Sequence, residues 1–165
     1  MTAADFIKGL FNQSEIDIKI HNNGRDKMDL IIEDNLDFNE YKYLRNTTVW
    51  ARLSDAQIAN LIEHSTFKVR AKIDGKTVAM GRALFDFGYN AFLTDIVVDP
   101  EFQGQGIGKK IVGRLIKRVK DSLSDTDFIQ FNLMAAPGKA GFYEKLGFFK
   151  REESNGYGMV MRINQ

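Results

Sequence analysis

One stretch limits what this 165-residue chain can fold into more than any other, Leu93–Lys120. Its first part, Leu93–Val98, is an apolar, β-branched run that is typical of a buried strand. Pro100 ends the strand because proline has no N–H to donate. A glycine-rich loop follows, and from Ile107 onward apolar residues recur at helical spacing. The stretch therefore predicts a strand, a tight loop and an amphipathic helix.

The glycine-rich loop has a chemistry of its own. Glycines let the backbone approach a ligand without a Cβ in the way. The first N–H groups of a helix lack intrahelical partners, and with the helix dipole they form an anion site, usually for phosphate. Two familiar phosphate loops do not fit, because Lys110 stands where the P-loop needs Ser or Thr and Lys109 where the dinucleotide fingerprint needs glycine. The loop predicts a phosphate site of another kind.

The motif that remains is V-x-D-P followed by Q-x-x-G-x-G, and it resembles the acyl-CoA pyrophosphate loop of the GCN5-related N-acetyltransferases. Downstream, AGFYEKLGF at Ala140–Phe148 resembles that family's second motif, a helix that carries a tyrosine and ends in Gly-Phe. Upstream, VAMGRALFD before LTDIVVDP is similar to a bacterial and plastid branch that acetylates small amines. The resemblance covers about Met28–Ile163. It implies an α/β (α+β) fold, with a central mixed, mostly antiparallel sheet, one splayed parallel strand pair, and helices on both faces.

The pattern of the whole chain predicts a series of elements that agrees with this fold. Helices are expected at Ala3–Phe11, Asn39–Asn46, Asp55–His64, Gly106 to about Leu123, and Lys139–Leu146. Strands are expected at Glu15–Ile20, Met28–Glu33, Phe67–Ile73, Thr77–Phe85, Tyr89–Val98, Phe128–Met134, Phe148–Glu152 and Tyr157–Ile163. Residues 1–27 then form an N-terminal extension of a short helix and a hairpin strand, and residues 28–165 a single N-acetyltransferase domain.

Composition narrows the partners. The 23 basic and 22 acidic residues nearly cancel, which predicts neither a nucleic-acid nor a membrane partner. The chain has no cysteine, which excludes disulfides and an acyl-cysteine intermediate, and its two histidines are too few for a zinc site built on His and Cys. No apolar run has membrane length, and the N-terminus has acids and lacks a signal-peptide core, so we expect a cytoplasmic protein.

The resemblance implies direct acetyl transfer from acetyl-CoA to an amine, without a covalent enzyme intermediate. Backbone N–H groups of Ile96, Val97 and Val98 would face the thioester carbonyl. Tyr143 would protonate the departing thiolate or contact the cofactor, and Phe142 would pack against the pantetheine arm or the core. The loop that would hold the phosphates consists of Gln103, Gly104, Gln105, Gly106, Ile107, Gly108 and Lys109.

Four residues on the acceptor side each have two interpretations. Asp95 lies inside an apolar run, where a carboxylate is either a base acting through water or a structural acceptor. Arg82 and Asp86, four apart on one predicted strand, either form an ion pair or line the amine pocket. Trp50 lies between the two helices that cover the acceptor site in this family, and is either a core plug or part of that pocket.

The expected function is acetylation of a small-molecule primary amine, of arylalkylamine or polyamine type. The alternatives are acetylation of a protein lysine or N-terminus, and a non-catalytic acyl-CoA-binding module. Members of this family often dimerise, so a homodimer is an expectation that rests on the resemblance alone.

Overall fold

The computed structural model describes residues 18–20, 28–124, 128–151 and 156. These fall into two compact units, one within residues 18–134 and one within residues 135–156. The helix predicted at Ala3–Phe11 and the strand predicted at Tyr157–Ile163 lie outside the described residues. The division of the chain at residue 27 stays a prediction.

In the described part of the chain, six strands form one sheet in sequence order. They are β1 (Ile18–Ile20), β2 (Met28–Glu33), β3 (Phe67–Ile73), β4 (Lys76–Phe85), β5 (Asn90–Val98) and β6 (Gln130–Leu133). All neighbouring pairs are antiparallel except β5 and β6, which are parallel. The predicted mixed, mostly antiparallel sheet is therefore confirmed.

The helices of the described residues are α1 (Phe38–Asn46), α2 (Asp55–His64), α3 (Ile107–Lys120) and α4 (Ala140–Glu144). Capping boxes begin α1 at Asp37 and α2 at Ser54. A 3₁₀ turn, Pro100–Phe102, precedes the glycine-rich loop. None of the helices described is long and apolar enough to cross a membrane.

The first three helices lie on both faces of the sheet. On one face, Tyr41, Leu44 and Ile58 from α1 and α2 share a buried cluster with Met80 and Val97 of the sheet. On the opposite face α3 packs against the strands β3 to β5. Burial of this apolar surface on two sides is the main favourable term that holds the layers together.

Gly81 of β4 explains how closely α3 can approach. A Cβ built there would lie 2.6 Å from the Ile111 side chain, 2.8 Å from Ile96 and 2.9 Å from Leu115. A Cβ at this position would force these packed side chains to shift, and glycine lets the helix and the sheet approach this closely without that.

Some elements are shorter than predicted. The strand expected at Phe128–Met134 spans only Gln130–Leu133, because its pairing with β5 ends there. The helix expected at Lys139–Leu146 is the shorter α4, Ala140–Glu144. It ends early because the next turn has hydrogen bonds between residues three apart, as from Leu146 N–H to Tyr143 C=O. Residues 148–151, predicted as part of a strand, are not in one.

Candidate active site

A bulge distorts β5 close to its C-terminal end. Arg82 pairs with Thr94 and Met80 pairs with Val97, so Asp95 and Ile96 together stand opposite the single residue between them on β4. Asp95 has φ +50°, in the left-handed region that L residues rarely adopt. A bulge leaves the extra residue out of the ladder and bends the strand. The structure thus contains the distortion on which the family's use of N–H groups at Ile96–Val98 depends.

The parallel strands β5 and β6 separate at the edge of β5 opposite to β4, next to the bulge. Pairing of β5 with β6 ends at Leu93 and Leu133, although β5 continues to Val98. Among the described residues, no strand pairs with residues 94–98 along that edge. The predicted splayed pair is confirmed, and it leaves backbone groups of β5 open at the end where the glycine-rich loop begins.

The loop itself turns through two glycines in the left-handed region, Gly104 at φ +77° and Gly106 at φ +78°. A Cβ at either position would meet no atom within 4 Å. The side-chain amide of Gln103 donates to the Val98 carbonyl (3.0 Å) and ties the loop back to β5. Bare backbone therefore faces open space immediately before α3 begins at Ile107, which is the form of a cradle for an anionic ligand.

The side chains around the loop fit the same kind of ligand. Gln105 Oε1 is buried and has no hydrogen-bond partner among the described residues, which leaves an acceptor for a ligand donor. Partial burial and the neighbouring charge of Lys109 lower the pKa of Lys110, whose ammonium would gain from a phosphate beside it. Backbone N–H groups and ammonium groups together suit the diphosphate of acetyl-CoA, whereas the Gln105 oxygen suits a donor elsewhere on a ligand.

Asp99 anchors the start of the loop. Its buried carboxylate accepts hydrogen bonds from the Tyr43 hydroxyl (2.7 Å) and the Glu101 N–H (3.1 Å). It also forms an ion pair with Lys76 (3.3 Å). Burial alone would raise the pKa of Asp99, but these donors outweigh it and hold that pKa below its usual value. The loop is thereby fixed to both α1 and β4.

Asp95 is held by a denser network. Its Oδ2 accepts from the Tyr41 hydroxyl (2.7 Å) and from Arg82 Nε (2.8 Å) and Nη2 (2.7 Å), while Arg45 Nη1 lies 3.4 Å from Oδ1. Burial, and then the hydrogen bond and charge of Asp95, raise the pKa of Tyr41 to about 12, so its hydroxyl keeps its proton and donates. A carboxylate with so many donors favours the structural interpretation of Asp95 over the catalytic base.

The predicted ion pair between Arg82 and Asp86 is wrong. Arg82 binds Asp95 instead and donates to Ser65 Oγ (2.6 Å), just after α2. β4 ends at Phe85, and the exposed Asp86 accepts the Gly88 N–H (2.8 Å) in the turn that follows. Asp86 therefore stabilises the β4–β5 turn, at the end of β5 opposite to the loop.

Trp50 and α4 complete the predicted positions. Trp50 is partly buried against the cluster beneath α1 and α2, with the Arg45 guanidinium 5.4 Å from its ring, as expected of a core plug.

In the second unit, the Tyr143 ring contacts Phe142 (4.9 Å between ring centroids) and Phe148 (5.9 Å) edge-on. Burial raises the pKa of Tyr143, so its hydroxyl stays protonated near neutral pH.

Sequence reasoning missed the residues of α1 that hold the site. Tyr41 and Arg45 are four apart on this helix and so lie on one face, which both turn toward Asp95. Their spacing was a usable signal, but nothing local pairs them with a residue more than fifty positions away. Among the residues described, no group of three or more His, Cys, Asp or Glu side chains could hold a metal ion.

Known proteins are similar to this chain in sequence and in fold. An N-acetyltransferase of uncharacterised function from Porphyra purpurea, ycf52, is 32% identical over 120 residues, which cover 70% of this chain and 67% of that protein. A probable acetyltransferase from Staphylococcus aureus, SA2161, has a similar fold, with TM-score 0.71 at 22% identity over 81% of this chain and 99% of that one.

Two shorter matches come from plants. Serotonin N-acetyltransferase 2 of Oryza sativa is 38% identical over 45% of this chain and 35% of that protein. Histone acetyltransferase TAP1 of Glycine max is 37% identical over 44% of this chain and 30% of that protein. The model of the acetyltransferase (GNAT) family matches residues 31–148, more than half of the chain. The chain therefore belongs to the GNAT acetyltransferase family.

Proposed function

We propose that this protein transfers an acetyl group from acetyl-CoA to the primary amine of a small molecule, of arylalkylamine or polyamine type. Membership of the family gives the class of reaction, since these enzymes are acetyl-CoA-dependent N-acetyltransferases. The observation that carries the proposal is the adjacency of two features. A bulged, partly unpaired strand end runs directly into a loop with two left-handed glycines.

The chemistry follows from that adjacency. The Gln103–Lys109 loop binds the diphosphate, and N–H groups of the bulged segment at Ile96–Val98 stabilise the negative charge that develops on the thioester oxygen. The amine nitrogen attacks the carbonyl carbon, and the C–S bond breaks as the sulfur takes a proton, for which the resemblance of AGFYEKLGF to the family's second motif implies the Tyr143 hydroxyl as donor. The attacking nitrogen loses its proton to solvent, because Asp95 is already occupied by its donors.

The packing on the acceptor side supports a small amine. The cover formed by α1 and α2 is filled by its own apolar side chains, and Trp50 packs into it. A basic protein tail would need acidic groups to attract it, whereas several surface acids are paired with cations of this chain. Such pairs include Asp34 with Arg114 and Arg118, Glu33 with Arg70, and Asp55 with Lys42.

The activities for which the relatives are named do not favour a small-molecule amine over a protein acceptor. One plant relative is a serotonin and another a histone acetyltransferase, and each match covers less than half of this chain. Protein acetylation is therefore the second candidate, and a non-catalytic acyl-CoA-binding module is the third.

A thiol-release assay separates the three. The purified full-length protein is incubated with acetyl-CoA and, in parallel, arylalkylamines, polyamines, and a lysine-containing peptide with a free N-terminus. We expect release of CoA with at least one small amine, at a higher kcat/KM than with the peptide. Faster reaction with the peptide would favour protein acetylation. A rise in melting temperature with acetyl-CoA but no thiol release with any acceptor would identify a binding module.

A further inference from the structure

We propose that Asp95 is a positioning residue, which holds the β5 bulge in its catalytic shape and takes no proton from the amine. This inference rests on the proposed function, because the bulge supplies the N–H groups that face the thioester. It assigns a joint role to Asp95, Arg82 and Tyr41, whereas the sequence offered separate alternatives for Asp95 and Arg82 and none for Tyr41.

The backbone at Asp95 needs support. In the left-handed region a Cβ crowds the following carbonyl, so a residue there relaxes unless its surroundings hold it. Asp74 has the same backbone, with φ +49°, but lies in the exposed β3–β4 turn, where Asp-Gly is a favourable sequence. Asp95 adopts it inside a sheet, where the neighbouring ladder favours an extended conformation.

The side chain of Asp95 provides that support. Its carboxylate, 10% exposed, is held at one oxygen, Oδ2, by both Nε and Nη2 of Arg82, and these charge-assisted hydrogen bonds fix where that oxygen lies. The hydroxyl of Tyr41 approaches the same oxygen from α1. Charge-assisted hydrogen bonds from two different elements thus determine where the Asp95 side chain lies, and through its Cα the shape of the bulge.

The network also reaches the cover over the acceptor side. Arg82 Nη1 donates to Ser65 Oγ after α2, and Tyr41 is wholly buried within α1. The bulge is therefore held against the same two helices that the family places over the amine. A general base, by contrast, needs an open lone pair within reach of the amine or of one water.

Three substitutions at position 95 separate the two roles. Alanine, glycine and asparagine all remove the negative charge and leave the same two guanidinium groups unneutralised. They differ in the backbone, since glycine adopts positive φ freely and asparagine does so more readily than other residues with a Cβ. Differences among the three variants therefore report on the shape of the bulge.

We expect Asp95→Ala to lower kcat by about 10²-fold, the usual effect of losing an oxyanion donor, with little change in the KM for acetyl-CoA. Asp95→Gly and Asp95→Asn should each recover about tenfold of that loss, which is the rate equivalent of removing the left-handed strain. The pH dependence of kcat/KM should keep the same rising limb as in the wild type.

Equal losses in all three variants, together with disappearance of the rising limb, would show that Asp95 is the base and would overturn the proposal. Asp74→Ala and Asp74→Gly are the matched controls, and both should leave kcat unchanged. Should the Asp95 variants fail to fold, Tyr41→Phe removes a single donor and keeps the ring. Its kcat should fall severalfold at unchanged KM, and an unchanged kcat would overturn the proposal.

The wild type in the same assay keeps the two hypotheses apart. If it releases no thiol with any amine or peptide, the proposed function fails. If it is active and the variants lack the predicted order, only the positioning role fails.

Discussion

Asp95 and Asp99 lie on either side of the last three residues of β5 along the chain. Each accepts a hydrogen bond of 2.7 Å from a tyrosine hydroxyl of α1. Their surroundings differ in other respects. Asp95 has left-handed backbone and two arginine partners in the interior. Asp99 has φ −48°, caps a 3₁₀ turn, and pairs with Lys76, which is about half exposed.

The difference teaches that one helix holds two neighbouring pieces of backbone for separate purposes. At Asp95 the donors maintain a conformation that the chain would otherwise leave. At Asp99 they fix an ordinary turn, whose geometry Pro100 already favours. Loss of Asp95 should therefore reduce the rate of the chemical step, whereas loss of Asp99 should reduce stability and loosen the loop.

The largest effect on kcat is expected at Tyr143. Its substitution tests protonation of the departing thiolate, a step in which neither Asp95 nor Asp99 takes part. Tyr143→Phe keeps the ring and its contacts with Phe142 and Phe148, and removes only the hydroxyl. Since acid catalysis contributes about 10²–10⁴-fold, kcat should fall by that factor with a modest change in the KM for acetyl-CoA. Steady-state kinetics measure both quantities, and thermal melting checks that the variant is folded.

Tyr89→Phe is the matched control, because it removes the hydroxyl of an exposed tyrosine that stacks on Phe128. Its kcat should equal that of the wild type. Weaker acetyl-CoA binding at unchanged kcat in Tyr143→Phe would assign the hydroxyl to cofactor binding. Unchanged kinetics would make Tyr143 a packing residue.

Gly106→Asp tests the loop end of the comparison. The substitution places a carboxylate beside the expected diphosphate, on backbone with φ +78°. Acetyl-CoA at about 100 times its Kd stabilises a protein by about 2.7 kcal/mol, or about 5–10 °C in Tm for a chain of this size. We expect differential scanning fluorimetry to show this shift in the wild type and in Asp95→Asn, and to show none in Gly106→Asp.

Gly75→Asp provides the control for strain. Gly75 has φ +77° and, like Gly106, no atom within 4 Å of a built Cβ, but it lies in the β3–β4 turn. Both variants should lose similar intrinsic stability, and only Gly75→Asp should retain the acetyl-CoA shift. A full shift in folded Gly106→Asp would remove the loop from the cofactor site.

Much of the fold could be predicted from the sequence because its signals are local. The Asp74-Gly75 turn, the Ser54 cap and the run from Leu93 to the helix of Ile107 each occupy a few consecutive residues. That helix forms a crossover between the strands before and after it, which predicts that the two strands are parallel, and the structure confirms this. The position of Asp95 inside an apolar run likewise marks it as an unusual carboxylate.

The partners of that carboxylate could not be predicted. Tyr41 lies 54 positions from Asp95 and Tyr43 lies 56 from Asp99, so only the packing of α1 on the sheet brings each pair together. The Arg82–Asp86 pair was wrong for a related reason. Spacing of four on one strand assumes a strand that continues, and β4 ends at Phe85. A bulge likewise depends on tertiary contacts that no local pattern contains.

The smallest effect is expected at Asp99 and depends on pH. Because the donors hold the pKa of Asp99 below the usual 3.8, the ionised carboxylate stabilises the folded state above that pH, and the contribution is lost as the pH falls through the lowered pKa. Asp99→Asn cannot titrate at this position. We therefore expect its Tm to be about 3–10 °C below that of the wild type at pH 7, and the difference to shrink below about pH 3.8.

The titration of other acids does not affect the difference in Tm between the wild type and Asp99→Asn. The pKa of Glu40 is lowered to about 2 despite its burial, by hydrogen bonds from Thr77, the Asp37 N–H and Arg70, but Glu40 titrates in both proteins and cancels. Tyr43→Phe removes one donor to Asp99 and should reproduce part of the loss at pH 7. A gap in Tm that stays constant from pH 7 to pH 3 would show that Asp99 acts through shape alone. A loss of kcat as large as in Asp95→Ala would remove the distinction between the two carboxylates, since it would mean that the loop anchor and the bulge act on the rate as one unit.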